Sequence, residues 1–206
     1  MTALHSVAVS REYQRIGLFG GTFDPPHVGH LVTAVNVRFA LGLDLVVLMV
    51  ANEPWQKVGT RPISPAVDRL AMVEAAVDGI AGLAAGRTEI DHGGPSYTAD
   101  TLALLQDEYP GATLFTIMGD DAAAGFETWE RHAEVAQRSQ LVVVDRPGAA
   151  TALPVGYQWH VVEVPRLEVS SSDLRDRAAS GRPLDFLVTD PVLRVIRERR
   201  LYAEAS

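Results

Sequence analysis

The sequence predicts an α/β fold, a doubly wound parallel sheet with a small helical part at its C-terminal end. Three features lead to this prediction. Short apolar runs rich in β-branched residues recur along the chain, segments of helical periodicity lie between them, and helix-start signals precede several of those segments. In such folds ligands bind in the crevice beyond the carboxyl ends of the strands. We therefore expect the functional residues to follow strands directly.

Six short apolar runs, most of them rich in valine, isoleucine and leucine, are predicted as strands of this sheet. Runs this short fit strands better than helices. They span residues 16–19, 45–50, 88–90, 114–118, 141–144 and 160–164. The segment 146–156, rich in proline, glycine and alanine, is predicted as a loop before the last strand.

Three of the segments between strands carry helix-start signals. Ser64 is predicted to cap a helix whose first residue is Pro65, since serine accepts from first-turn amides and proline needs no partner there. Thr98 is predicted to cap a second helix. Asp190 and Pro191 begin a third, which ends in a basic turn that suits the helix dipole.

The composition is that of a single globular domain. We expect residues 1–14 to be a tail, residues 15–206 to be one domain, and residues 170–206 to be its C-terminal helical subdomain. No apolar run of about 20 residues occurs, and no secretory pattern stands at the start. The absence of cysteine excludes disulfides, iron–sulfur ligation and thiol chemistry. We expect a cytoplasmic protein with no membrane partner.

The net charge of −8 argues against a broad nucleic-acid interface, because such binding draws on many lysine and arginine contacts to phosphates. Small anionic ligands are different, since a few convergent positive groups in a cleft suffice for them. We therefore expect small-molecule partners and no nucleic acid.

The turn after the first predicted strand is the most informative segment. Residues 20–30 read Gly-Gly-Thr-Phe-Asp-Pro-Pro-His-Val-Gly-His and run into a helical pattern. Gly20 and Gly21 let the backbone approach a ligand, and the helix start adds N–H donors and a positive dipole end, which suits phosphate. His27 and His30 lie on one side of the helix start, so both imidazoles can donate to charge on one phosphoryl group.

Other interpretations of this turn are weaker. A plain turn and a capped helix do not account for two histidines, two prolines and three glycines in eleven residues. His27 and His30 have the spacing of two zinc ligands, but the glutamate of H-E-x-x-H and a third ligand are missing, so we predict no protein-held metal. The sequence has no G-x-x-x-x-G-K-[ST] and no G-x-G-x-x-G, which argues against P-loop NTPases and dinucleotide oxidoreductases.

A second polar cluster, residues 170–175, precedes a short helical stretch near the C-terminal end. Serines before a helix are commonly caps. The hydroxyls of Ser171 and Ser172, the helix-start amides and Arg175 would also make a polyphosphate clamp. Both interpretations stay open for this cluster by itself.

Together the two clusters resemble the signatures of the nucleotidyltransferase superfamily, G-x-F-D-P-x-H-x-G-H and a late S-S-[ST]-x-[IVL]-R. From about residue 16 to residue 202 the chain resembles the bacterial nicotinate mononucleotide adenylyltransferases in particular. The resemblance implies a Rossmann-like nucleotidyltransferase fold. The further matching segments are 54–57, 95–102, 119–121, Trp129, 146–148 and 183–202.

The resemblance implies in-line attack by the 5′-phosphate of nicotinate mononucleotide on the α-phosphorus of ATP. The products would be pyrophosphate and nicotinate adenine dinucleotide, a step of NAD biosynthesis, with Mg²⁺ carried on ATP. His27, His30 and Arg175 would be catalytic. The implied ATP contacts are Gly20, Gly21, Thr22, Phe23, Gly119, Asp121, Ser171 and Ser172, and the implied nicotinate mononucleotide contacts are Lys57, Thr98, Trp129 and Arg146.

Several alternatives remain at this point. From the residues alone, Lys57 could equally be a solvated surface lysine, Asp121 a helix cap and Trp129 a core residue. Ser172 stands where this family usually has threonine and resembles the phosphopantetheine adenylyltransferases. Asp120 and His132 also differ from the residues usual in the family.

The alternative functions are adenylyl transfer to phosphopantetheine or to nicotinamide mononucleotide, and a nucleotide-binding module without catalysis. The sequence does not decide between an acid and an amide acceptor. It also leaves the oligomeric state open, a homo-oligomer included.

Overall fold

Strands and helices alternate along the chain. The computed structural model describes residues 13–54, 62–145, 152–165 and 167–203. The strands are β1 (Arg15–Gly21), β2 (Leu45–Val50), β3 (Leu83–Gly86), β4 (Thr113–Gly119), β5 (Gln140–Asp145) and β6 (Trp159–Glu163). The helices are α1 (Val28–Leu41), α2 (Ala66–Val77), α3 (Thr88–His92), α4 (Thr98–Glu108), α5 (Asp120–Ala124), α6 (His132–Arg138), α7 (Ser171–Ala179) and α8 (Asp190–Glu198).

The six strands form one parallel sheet in the order β3-β2-β1-β4-β5-β6. The chain winds outward from β1 in one direction through β2 and β3, and in the other through β4, β5 and β6. The predicted doubly wound sheet is therefore confirmed. The reversal of winding leaves a crevice beyond the carboxyl ends of β1 and β4, where ligands bind in this class of fold.

Helices cover both faces of the sheet, because side chains alternate between the faces along each strand. In β2, Val46, Leu48 and Val50 belong to one buried cluster, whereas Leu45, Val47 and Met49 belong to the other. The first cluster takes its helical residues from α1, α2, α7 and α8, and the second from α4, α5 and α6. A sheet buried on both faces explains the nearly continuous apolar runs of β2, β4 and β5.

The last two helices lie on the first of these clusters. Leu174 of α7 and Val192 and Ile196 of α8 are buried in it, and α8 packs against α2. The C-terminal helices therefore share a core with the sheet. The division of residues 170–206 from the rest as a helical subdomain stays a prediction.

One predicted strand is wrong. Residues 88–90 lie in the short helix α3, which ends before Gly93, and the third strand is Leu83–Gly86 instead. The apolar, β-branched character of Thr88 and Ile90 suggested a strand, while alanine and glycine in β3 concealed one. Glycine at position 86 leaves space for β2, because a Cβ there would lie 2.6 Å from Cγ1 of Val47.

Two predicted caps are each displaced by one residue. Helix α2 begins at Ala66 with Pro65 in the cap position, so Ser64 is not the cap. Thr98 is the first residue of α4, and the extended Tyr97 occupies the cap position, because its carbonyl accepts the first helical hydrogen bond, from Thr101. The helix predicted from Asp190 and Pro191 is confirmed.

Parts of the predicted organisation fall outside the described residues. They include residues 1–12 of the predicted tail and residues 146–151 of the predicted loop. Among the helices that the structure describes, none is both long and apolar enough to cross a membrane.

Candidate active site

A cavity of about 270 Å³ opens at the carboxyl ends of β1 and β4, where the winding of the sheet reverses. Its walls are the turn after β1, the end of β2, the start of α4, the turn after β4 and the segment before α6. The lining residues are Leu18, Phe19, Gly20, Gly21, Thr22, Ala51, Pro54, Glu89, Ser96, Tyr97, Thr98, Thr116, Ile117, Met118, Gly119, Ala122, Trp129 and Glu130.

The cavity brings together six of the predicted site residues from four parts of the sequence, namely Gly20, Gly21, Thr22, Thr98, Gly119 and Trp129. Trp129 is half-buried and packs at 5.6 Å from the ring of Phe126, so it is a wall residue and not a fully buried core residue. Asp121 is exposed within α5 and does not line the cavity. Lys57 and Arg146 lie outside the described residues.

The two glycines of the first turn have different surroundings. No atom lies within 4 Å of the position that a Cβ would take at Gly20, which faces the cavity. At Gly21 a Cβ would lie 2.8 Å from the ring of Phe23, which is buried and has a positive φ of 49°. Gly20 thus leaves space for a ligand, whereas Gly21 leaves space for the turn to fold back on itself.

The imidazole rings of His27 and His30 stack with their centroids 3.7 Å apart. His27 is the N-cap of α1 and His30 is its third residue, so the helix start sets their spacing. The ring of Phe23 packs edge-on against His30 at 5.0 Å. Gly29 packs closely beside them, since a Cβ there would lie 3.0 Å from Nδ1 of His27 and 3.1 Å from Cγ1 of Val169.

Hydrogen bonding and burial define the protonation of this pair. The backbone N–H of His27 donates to Nδ1 of His30 at 3.1 Å, so a neutral His30 carries its proton on Nε2. Burial lowers the pKa of His27 to about 4, so that ring is neutral at pH 7. Each neutral imidazole carries one ring N–H, which in His30 is on Nε2.

The predicted serine cluster joins the first turn. Ser170 is the N-cap of α7 and accepts from the amide of Asp173 at 3.2 Å, which confirms the capping interpretation for that serine. The hydroxyl of Ser171 donates to the carbonyl of Pro25 at 2.8 Å. Two signatures that are about 145 residues apart in sequence therefore form one structure.

Arg175 makes a second connection between α7 and the turn. Its Nη1 donates to the carbonyl of Asp24 at 2.8 Å, and its Nη2 donates to the hydroxyl of Ser172 at 3.0 Å. Because a guanidinium has five N–H donors, these bonds are compatible with further donation to an anion. The arginine thus both holds the turn and carries positive charge to it.

Asp24, in the middle of the turn, is a structural residue that the sequence reasoning did not single out. Its side chain is buried, accepts from the hydroxyl of Tyr202 at 2.7 Å, and lies 3.4 Å from the amide of Ser64. Burial and the nearby carboxylate raise the pKa of Tyr202, which keeps its hydroxyl protonated as a donor. Tyr202, at the end of the matching segment 183–202, is thereby attached to the turn of residues 20–30.

Arg69 is a second residue that the sequence reasoning missed. It is only 1% exposed and donates to the carbonyls of Thr22, Ala51 and Asn52 at 2.7–3.0 Å, and to that of Ser64 at 2.8 Å. These bonds join the ends of β1 and β2 to the start of α2. The available signal was the position of this arginine within an apolar stripe of α2, which continues with Met72, Val73 and Ala76.

No group of three or more His, Cys, Asp or Glu side chains that could hold a metal ion occurs within the described ranges.

Comparison with known proteins agrees with this arrangement. The sequence model of the cytidylyltransferase-like family matches residues 18–177. A Corynebacterium kroppenstedtii protein named "Probable nicotinate-nucleotide adenylyltransferase" is 42% identical over 94% of this chain and 93% of its own length. A Frankia casuarinae protein of the same name is 44% identical over 91% of this chain and 100% of its own length.

A solved structure has the same fold. It is the Plasmodium falciparum nicotinic acid mononucleotide adenylyltransferase complexed with NaAD, with a TM-score of 0.74 and 14% identity over 92% of this chain and 98% of that chain. Fold and site thus define a cytidylyltransferase-like nucleotidyltransferase. Within that class, the chain belongs to the nicotinate-nucleotide adenylyltransferase family.

Proposed function

We propose that this enzyme transfers the adenylyl group of ATP to nicotinate mononucleotide, giving nicotinate adenine dinucleotide and pyrophosphate for NAD biosynthesis. The observation that carries the proposal is the junction of the two signatures, where the stacked His27 and His30 and the start of α7 share one turn. Such a group of neutral and charged donors suits a triphosphate next to a nucleoside cavity.

The reaction is an in-line displacement. A 5′-phosphate oxygen of the acceptor bonds to the α-phosphorus while the bond from that phosphorus to the β-phosphate oxygen breaks, and pyrophosphate leaves with the electron pair. We assign the ring N–H groups of His27 and His30 to the α-phosphate, where they donate to the developing negative charge. The hydroxyl of Ser172 and the guanidinium of Arg175 hold the β- and γ-phosphates. Ser171, whose hydroxyl donates to Pro25, contributes its backbone N–H as the first residue of α7.

The remaining roles concern the nucleoside portions of the two substrates. Gly20, Gly21, Thr22, Phe23 and Gly119 form the ATP side with their backbone, and Asp121 binds a ribose hydroxyl. On the acceptor side, Trp129 stacks on the pyridine ring and the amide of Thr98 donates to the nicotinate carboxylate. That amide is the first N–H of α4 and has no acceptor within its own helix, which supports the assignment.

Lys57 and Arg146 complete the acceptor side as contacts to its anionic groups. Mg²⁺ arrives with ATP and neutralises charge on the triphosphate. We propose a cytoplasmic location for this activity.

Acceptor identity is tested with the purified enzyme, ATP and Mg²⁺, offering nicotinate mononucleotide, nicotinamide mononucleotide and phosphopantetheine in separate reactions. We expect pyrophosphate release to be fastest with nicotinate mononucleotide. Faster release with phosphopantetheine would support the alternative suggested by Ser172, and faster release with the amide would reverse the acid preference. Absence of release with all three would indicate a binding module without catalysis.

A further inference from the structure

Glu89 is an acidic residue in the cavity wall to which none of the roles above applies. It lies in α3, the segment that the sequence predicted as a strand, and it lines the cavity beside Ser96 and Thr98. The hydroxyl of Thr101 donates to its Oε1 at 2.6 Å. Glu89 is therefore bonded to the first turn of α4, at the fourth residue of that helix.

Ser96 is fixed to the chain that follows β2. Its hydroxyl accepts from the backbone amide of Asn52 at 2.8 Å, and its own amide donates to the carbonyl of Glu53 at 3.0 Å. The segment before α4 is therefore held to the end of β2, and Thr101 within α4 is held to Glu89.

These bonds hold the start of α4 on both sides of Thr98. Thr98, whose backbone forms the first turn of that helix, lies between Ser96 and Thr101 in sequence and lines the cavity. Rotation of this turn would redirect the Thr98 amide, and the bond from Thr101 to Glu89 opposes the rotation from inside the cavity wall.

The arrangement is costly for the fold, which argues against a purely stabilising role. Burial is the largest influence on the Glu89 carboxyl and raises its pKa, against the lowering effects of Ser96, Thr101 and the positive charge of Arg69. Local arrangements that oppose stability are common at functional sites.

We propose that Glu89 is a positioning residue for the pyridine-nucleotide acceptor, acting through Thr101 to direct the amide of Thr98 into the cavity. The proposal rests on the proposed function, since it assigns that amide to the acceptor carboxylate. It concerns binding of the acceptor and not the displacement itself.

The test compares steady-state constants for both substrates in wild type, Glu89→Ala and Glu89→Gln. For Glu89→Ala we expect the KM for nicotinate mononucleotide to rise about tenfold or more. The kcat and the KM for ATP should stay within about twofold of wild type, because the substitution weakens acceptor binding equally in the ground state and the transition state. Glu89→Gln retains an oxygen that accepts from Thr101 and should recover most of the acceptor affinity.

Two further variants keep the test decisive if Glu89→Ala folds poorly. Thr101→Val removes the hydroxyl that binds Glu89 at nearly constant volume and should raise the acceptor KM alone. Asp91→Asn removes an exposed carboxylate of the same helix, whose partner is Arg87, and should change neither KM. An unchanged acceptor KM in Glu89→Ala and Thr101→Val, or an equal rise in both KM values, would overturn the inference. Failure of wild type to use nicotinate mononucleotide would instead refute the proposed function.

Discussion

At the scale of single residues, the stacked histidines illustrate how the fold sets chemistry. Their centroid separation of 3.7 Å would place two positive charges in contact if both rings were protonated. Burial avoids this for His27 by lowering its pKa to about 4. The backbone N–H of His27 donates to Nδ1 of His30, so a neutral His30 ring carries its proton on Nε2. A neutral imidazole in such a pair is suited to donate a hydrogen bond to a phosphoryl oxygen.

The lowered pKa of His27 predicts a specific pH dependence of stability. The His27 imidazole has a lower pKa in the folded protein, about 4, than its unfolded value of about 6.5. Its contribution to stability is therefore fully present above pH 6.5 and is lost as the pH falls towards 4. Over this window the free energy of unfolding should fall by roughly 3 kcal/mol more in wild type than in His27→Gln. Urea unfolding of both proteins between pH 4 and pH 7 measures the difference, and parallel profiles would contradict the assignment.

The two glycines of the turn predict opposite effects of the same substitution. Gly20→Ala has space for its methyl group, so it should fold with nearly normal stability but raise the KM for a substrate, because the methyl group enters the cavity wall. Gly21→Ala forces the ring of Phe23 to move and should lower the free energy of unfolding by about 1–3 kcal/mol. Thermal unfolding with substrate titration distinguishes them, and equal stability losses would show that both glycines serve only packing.

At the scale of elements, the turn of residues 20–30 is held from three directions. Helix α7 binds it through Ser171 and Arg175, the start of α2 through Arg69, and the segment after α8 through Tyr202. The sequence located the two signatures because each has its own local pattern. It did not predict the supporting bonds, because a buried arginine to carbonyls and a tyrosine to a distant aspartate are formed only by tertiary packing.

The attachment of Tyr202 predicts a coupled loss of stability and rate. Tyr202→Phe removes a hydrogen bond to the buried carboxylate of Asp24, so the free energy of unfolding should fall by about 1.5–3 kcal/mol. Since Asp24 lies within the turn, kcat should also fall severalfold. Tyr109→Phe is the control. Tyr109 precedes β4 and so lies near the amino end of that strand, whereas the cavity is at the carboxyl end, so this substitution should leave kcat unchanged. An unchanged kcat in Tyr202→Phe would limit this tyrosine to a structural role.

At the scale of the whole molecule, the class of fold and the position of the site followed from sequence. Short but continuous apolar runs such as β2 predict a sheet buried on both faces, and the first strand-to-helix turn predicts the crevice. The failure at residues 88–90 has a physical reason, since a five-residue helix and a four-residue strand of small side chains contain too few residues to show a period. That same failure concealed Glu89, because its place in the cavity depends on α3.

The central claim is that the turn of His27 and His30 transfers adenylyl groups to nicotinate mononucleotide. The most direct measurement is the rate of nicotinate adenine dinucleotide formation at saturating substrates in wild type and His30→Ala, with His30→Asn as a second variant that keeps an acceptor for the His27 amide. We predict product and pyrophosphate in equal amounts from wild type, and turnover lower by about a hundredfold to a thousandfold in both folded variants. A near-normal rate in either folded variant, or no dinucleotide from wild type, would contradict the claim.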